Sequence, residues 1–176
     1  DTQDATLFSV SYHLSQAEAD ANTGALSSPY YNTTAFSYQV FARIENNLKT
    51  DCYDTTEFTV NIYAAPKANL VSDLFECDDD NDGVLSFDFT VPQAQVFGAQ
   101  LATDFTVSYH LSQDDAEANS AALSLPYQNT DSTEEIFIRI ENNNNSNCYD
   151  TTSFNLNVFD TPTANTVATV EQCDDL

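Results

Sequence analysis

Positive charge is scarce in these 176 residues: four Lys and Arg stand against 28 Asp and Glu, a formal net charge of −24. Nucleic-acid phosphates and an anionic membrane surface would be repelled by such a chain, so neither is expected as a partner. Glycine is scarce too, with three in all. No Gly-rich phosphate loop, no Gly-x-Ser-x-Gly and no His-Glu-x-x-His occurs, so the signatures of phosphate binding, nucleophile-elbow hydrolysis and zinc proteolysis are missing. Carboxylates are so numerous that no pair of them stands out as catalytic. The expectation is a protein that is not an enzyme. No apolar run is long enough to span a bilayer, so direct membrane insertion is not expected, and the chain starts with neither an initiator Met nor a signal peptide.

Hydrophobic residues nevertheless make up 41% of the chain and aromatics 12%. That is too apolar for a disordered acidic tail and fits a folded domain in an acidic coat. The dominant feature is a repeat. Ser11-Tyr12-His13-Leu14-Ser15-Gln16 returns as Ser108 to Gln113, Arg43-Ile44-Glu45-Asn46-Asn47 as Arg139 to Asn143, Cys52-Tyr53-Asp54-Thr55-Thr56 as Cys148 to Thr152, and Cys77-Asp78-Asp79 as Cys173 to Asp175. The offset is 97 at the histidines and 96 at the cysteines. A period of about 100 residues is a whole small domain rather than one turn of a solenoid. The chain is expected to hold one repeat over 1–66 lacking its first strand, a complete repeat over 67–164 and the start of a third over 165–176.

Period-2 alternation marks the strands. Phe105, Val107, Tyr109 and Leu111 repeat Phe8, Val10, Tyr12 and Leu14. Ile136, Ile138 and Ile140 form another run, and Thr152, Phe154, Leu156 and Val158 repeat Thr56, Phe58, Val60 and Ile62. Leu85, Phe87, Phe89 and Val91 read as the opening strand of the complete unit. Ala-rich Gln16–Leu26 and Gln113–Leu123 break the alternation and predict a short helical turn, with acids near its start. Ala65-Pro66-Lys67-Ala68-Asn69 and Thr161-Pro162-Thr163-Ala164-Asn165 read as short, stiff linkers. The fold class is all-β: tandem immunoglobulin-like β-sandwich repeats.

The string Cys-Asp-Asp-Asp-Asn-Asp-Gly-Val at 77–84, Ser-Tyr-His-Leu-Ser-Gln with its Ala/Asp-rich sequel, and Cys-Tyr-Asp-Thr-Thr together resemble the repeats of giant Bacteroidetes cell-surface adhesins, of which SprB-type gliding adhesins exported by type IX secretion are an example. The resemblance covers essentially the whole chain. It implies an extracellular, outer-membrane-attached filament used in adhesion or gliding motility, in which most units space and stiffen. The implied partners are neighbouring repeats of the same chain, other copies of the filament, and a surface polysaccharide or substratum.

Three kinds of site stand out. Asp78, Asp80 and Asp82 have the spacing of the first three ligands of a Ca²⁺-binding DxDxDG loop, with Gly83 at the turn. The bidentate Glu of an EF-hand is missing, since Phe89 holds its position, so Ca²⁺ would need further ligands; Asn81 and Asp150 are the candidates. The same string would also serve as a solvated acidic turn. The four cysteines recur with the repeat and lack zinc-like CxxC spacing, which favours structural disulfides in an oxidising, extracellular setting. Cys77 and Cys148 open the first and last strands of the complete unit. If those strands run in the same direction their starts share an end, so Cys77–Cys148 is the expected bond and Cys52 and Cys173 pair outside the chain. Thr55, Thr151 and Ser132 lie in Asp-Ser/Thr-x strings like those used for O-glycosylation in Bacteroidetes.

His13 and His110 fall on polar strand faces and read as surface residues. Arg43 and Arg139 are expected to pair locally with Glu45 and Glu141. The rival functional classes are a carbohydrate-binding module, with Tyr30, Tyr31 and Tyr127 as a sugar platform, and an accessory domain of a secreted hydrolase.

Overall fold

The computed structural model describes residues 4, 6–34 and 36–173. The chain divides into two units, Asp1–Tyr63 and Ala64–Leu176, the boundary falling just ahead of the expected linker. Among the described residues, the first unit is a sheet of β1 (Phe8–His13), β2 (Ser37–Asn46) and β3 (Lys49–Asn61), in the order β1-β2-β3, with one short helix, α1 (Gln16–Ala21). Both pairings are antiparallel, and β2 and β3 meet at a tight turn preceded by a bulge at Glu45/Asn46.

The second unit repeats this plan and adds to it. It contains β4 (Leu74–Asp78), β5 (Ser86–Phe87), α2 (Thr90–Phe97), β6 (Phe105–His110), α3 (Gln113–Ala118), β7 (Tyr127–Gln128), β8 (Thr133–Asn142) and β9 (Asn145–Asp160). The main sheet has the order β4-β9-β8-β6. The first strand, β4, runs parallel to the last, β9, with Leu74 opposite Leu156 and Asp78 opposite Asp160. A second layer, made of the two-stranded β5–β7 sheet and α2, covers one face. The protein is all-β, a sandwich with one thin layer, as the alternation implied.

The short helices form because both ends are capped. Ser15 and Ser112 are extended N-caps whose hydroxyls accept from the Glu18 and Asp115 amides. Asn22 and Asn119 close the C-termini in the left-handed region, at φ 52° and 53°, a conformation asparagine tolerates better than most residues. Ala19 and Ala116 are the buried helix residues, and their small side chains let the helix lie close on the sheet.

The core of the second unit gathers Tyr109, Ile136, Ile138, Phe154, Leu156 and Val158 from the sheet against Phe87, Phe89 and Val96 from the cover. The expected opening strand over Leu85–Val91 is not what forms. Only Ser86–Phe87 is strand, and Phe89 turns into the left-handed region at φ 54° as the N-cap of α2. Phe87 and Phe89 both enter the core, stacked with ring centroids 6.2 Å apart, and the turn ends the alternation there, leaving Val91 59% exposed. Pro92 lies in the first turn of α2, where a missing N–H costs nothing.

The linker expected at Ala65–Asn69 is instead part of the second unit. Lys67 and Gln100 exchange two hydrogen bonds, at 2.8 and 2.7 Å, the Ala68 amide donates to Asp150, and Asn69 bonds the Val96 carbonyl. Gly98 is required there, because a Cβ would stand 2.8 Å from the Asn69 amide nitrogen and φ is +56°. Residues 161–173 form no regular secondary structure.

Candidate functional site

The acidic loop leaves β4 at its carboxyl end. Asp78 is 1% exposed. Its carboxylate accepts from the Gly83 amide at 2.5 Å and the Asp80 amide at 3.2 Å. Asp80 accepts from the Asp82 amide and Asp82 from that of Val84. Gly83 at φ 82° and Asn81 at φ 58° supply the sharp reversal. The loop therefore wraps around the first carboxylate and brings the side chains of Asp78, Asp80 and Asp82 together, one oxygen from each lying within 4.8 Å of the others. The Gly83 N–H holds Asp78 below the ordinary carboxylate range, while a hydrogen bond shared with Asp78, reinforced by the charge of Asp82, holds Asp80 above it. Three converging hard oxygens are a partial cage for a cation such as Ca²⁺.

The other two residues expected at this cage stand elsewhere. The Asn81 amide faces away: its Oδ1 accepts from the Thr161 N–H at 2.7 Å and its Nδ2 donates to the Thr161 carbonyl. Asp150 lies ten residues along β9 from Asp160, the register partner of Asp78, which is about 33 Å at strand rise. Its carboxylate accepts from the Ala68 and Thr151 amides instead. The first strand of the unit is Leu74–Asp78, not residues 85–91. With Leu74–Asp78 as first strand, the acidic loop follows the strand rather than preceding it, and falls at the opposite end of the sheet.

The loop is anchored by residues that the motif did not include. The Asn129 side chain, buried, donates to the Gly83 and Asp131 carbonyls and accepts from the Leu85 amide at 2.6 Å. Thr161 donates its N–H to the Asp78 carbonyl as well as to Asn81. The signal for Asn129 was its recurrence, since Asn32 stands at the same place in the first copy.

The same reversal separates the cysteines. Cys77 is opposite Phe159, eleven residues along β9 from Cys148. At about 3.3 Å per residue the two are roughly 36 Å apart, against the 5 to 6 Å between Cα atoms that a disulfide needs. The expected Cys77–Cys148 bond is therefore not possible in this fold. The first and last strands do run in the same direction, but Cys77 ends its strand whereas Cys148 begins one. Cys77 is exposed and Cys148 partly so.

Where the structure places the remaining candidates is plain. The Thr55 and Thr151 hydroxyls accept from Gln16 and Gln113 at 3.0 Å, on half-buried strand positions. Ser132 is exposed, in the turn before β8. Tyr31 is exposed, but Tyr127 is buried in the core with its hydroxyl on Glu134 at 2.7 Å, so these tyrosines do not form one platform.

The histidines are not on the surface. His13 and His110 are 0% exposed. Each Nδ1 meets a carbonyl, Thr23 at 2.8 Å and Ser120 at 2.7 Å, and so carries the proton; each Nε2 bonds a serine hydroxyl at 2.9 Å. Arg43 and Arg139 pair with Glu45 and Glu141 as expected, and they do more. Arg139 Nη1 donates to the Ala116 and Glu117 carbonyls at the end of α3, Nη2 to the Ser146 carbonyl, and the guanidinium lies 3.7 Å above the Tyr149 ring. Arg43 makes the same set with Ala19, Asp20, Thr50 and Tyr53. These polar residues are buried because α1 and α3 lie on the polar face of the sheet. They fasten the helices to the sheet.

Among the described residues, no helix is long and apolar enough to cross a membrane. No curated protein matches the chain. A family profile does, twice, over 1–66 and 73–162, one match per repeat. The chain belongs to the Flavobacterium inter-domain disulphide bond (FIDD) domain family.

Proposed function

We propose that this chain is a run of structural repeats from a long extracellular adhesin filament of the SprB type, outside the cell and attached at the outer membrane, whose units are tied end to end by disulfides. One observation carries the reading. In the complete unit Cys77 and Cys148 lie at opposite ends, so each must bond outward. The incoming chain enters beside Cys148, where Ala64 and Ala68 bond Asn142 and Asp150. The outgoing chain leaves beside Cys77, where Thr161 bonds Asp78 and Asn81. Connectivity alone then pairs the Cys77-type residue of one unit with the Cys148-type residue of the next. A covalent tie beside each peptide linkage gives two attachments per junction, which resists bending and pulling. The acidic coat keeps neighbouring filaments apart.

Within this reading the Asp78–Asp80–Asp82 loop takes Ca²⁺ at the same outgoing end, completed by water or by the following unit, and stiffens the junction. Non-reducing peptide mapping of the native parent protein tests the disulfide rule. A Cys77-type peptide joined to the Cys148-type peptide of the following repeat is expected, and an intra-unit pair would overturn it. Labelling of intact cells tests the location: signal only after permeabilisation would end the adhesin reading.

A further inference from the structure

The two units share a sheet but not its cover. In the second unit Tyr109 and Phe154 are 3% and 2% exposed, beneath Phe89. Their counterparts in the first unit, Tyr12 and Phe58, are both 46% exposed, and Val10 and Ile62 are open as well. Among the described residues of the first unit nothing stands where β4, β5 and α2 stand in the second. What remains is a groove of about 260 Å³ lined by Tyr12, Tyr30, Tyr38, Val40, Phe58 and Val60. Tyr12, Tyr30 and Phe58 are the equivalents of Tyr109, Tyr127 and Phe154, the three rings that surround Phe89 at centroid distances of 4.8, 5.9 and 5.5 Å. The outer edge of β3 matches the edge of β9 that β4 occupies.

We propose that this face of the first unit is the seat of an opening segment with the pattern of Leu74–Gly98, its Phe89-type ring filling the groove and its β4-type strand adding in parallel to β3. The second unit shows what covers such a face: a segment of its own chain, with β5 paired to β7 and Phe87, Phe89 and Val96 packed on the main sheet. There the segment lies directly ahead of the sheet that it covers, and we assign the occupant of the first unit the same covalent order, on the same polypeptide. Parallel strand addition provides backbone hydrogen bonds, while the Phe and its neighbours provide recognition.

The test is a synthetic Ala64–Gly98 peptide carrying Cys77→Ser, titrated into the full chain. One peptide per chain is expected, with amide-exchange protection appearing at Val60–Ala64, the counterpart of the β9 stretch that β4 pairs. A Phe89→Ala peptide is expected to bind at least about tenfold more weakly, since it leaves the groove unfilled. A chain extended at its amino end by the same segment is expected to lose the added peptide's binding. Absence of binding, equal binding by the Phe89→Ala peptide, or undiminished binding by the extended chain would each overturn the proposal. So would dimerisation of the unextended chain through this face, or its tighter occupation by a saccharide.

Discussion

The rings of Phe89 and Tyr109 lie 4.8 Å apart, centroid to centroid, with Phe154 edge-on to Phe89 at 5.5 Å. Phe89 belongs to the cover and the other two to the sheet, so this contact is where the layers are joined. Phe89→Ala removes a fully buried ring from a site that cannot collapse, and a loss of about 3–5 kcal/mol is expected. Urea unfolding followed by tyrosine fluorescence checks it. A loss below about 1 kcal/mol would mean that the layers are held together elsewhere.

Arg139 joins the other face of the sheet to α3. Its guanidinium serves three carbonyls, one carboxylate and one ring. Arg139→Lys keeps the charge but loses the planar fork, leaving buried acceptors unserved, so the substitution is expected to destabilise by about 2–4 kcal/mol. Thermal unfolding and hydrogen exchange in α3 measure it. Near-native protection of α3 would show that the helix does not depend on the arginine.

Asp115 gives the fold an acid dependence. Hydrogen bonds from the Ser112 and Ser120 hydroxyls, at 2.6 and 2.8 Å, hold its carboxyl below the ordinary range. A carboxyl lowered in the folded state adds stability above its unfolded pKa, and that stability is lost as pH falls through the folded value. Asp115→Asn is therefore expected to weaken the protein at neutral pH and to match the parent protein well below the carboxylate range. Denaturant midpoints at both pH values decide it, and a deficit that persists in acid would assign the effect to shape rather than charge.

If the acidic loop takes Ca²⁺, calorimetry on the full chain should show binding in the range of extracellular modules, about 10⁻⁴–10⁻³ M. Asp82→Asn should weaken it by about tenfold or more, since it removes one of few charged ligands. Asp150→Asn should leave it unchanged, because Asp150 lies at the far end of the sheet. No heat at millimolar Ca²⁺ would leave the loop as an acidic turn.

The disulfide rule also makes a statement about the isolated chain. Partners of opposite type come from adjacent units in a fixed order, Cys77-type then Cys148-type. Cys52, Cys77, Cys148 and Cys173 contain no such pair within one chain. Thiol titration of the monomer after mild oxidation should therefore recover all four. Cross-linked dimers, where they form, should join a Cys77-type to a Cys148-type peptide. An intramolecular Cys52–Cys77 bond would be incompatible with the rule.

The sequence by itself determined the repeat, the strands that both copies share and the short helical turns. Alternation along Phe105–Leu111 and Ile136–Ile140 states which side chains share a face, and Ala-rich Gln113–Leu123 states where a helical turn interrupts it. All of these are local, set by the backbone geometry of a few residues. Tertiary structure alone decided what lies on each face and at each end. Alternation assigned His110 and Arg139 to the polar side, but only the docking of α3 made that side an interior. The spacing of Asp78, Asp80 and Asp82 brought them together without outside help, because a turn of six residues is closed by its own amides. The place of Asp150 and the partners of Cys77 depended on which strand comes first. The left-handed turn at Phe89 and the parallel pairing of β4 with β9 settled that, and both are enforced by burial across more than 60 residues of chain, which no short string of residues records.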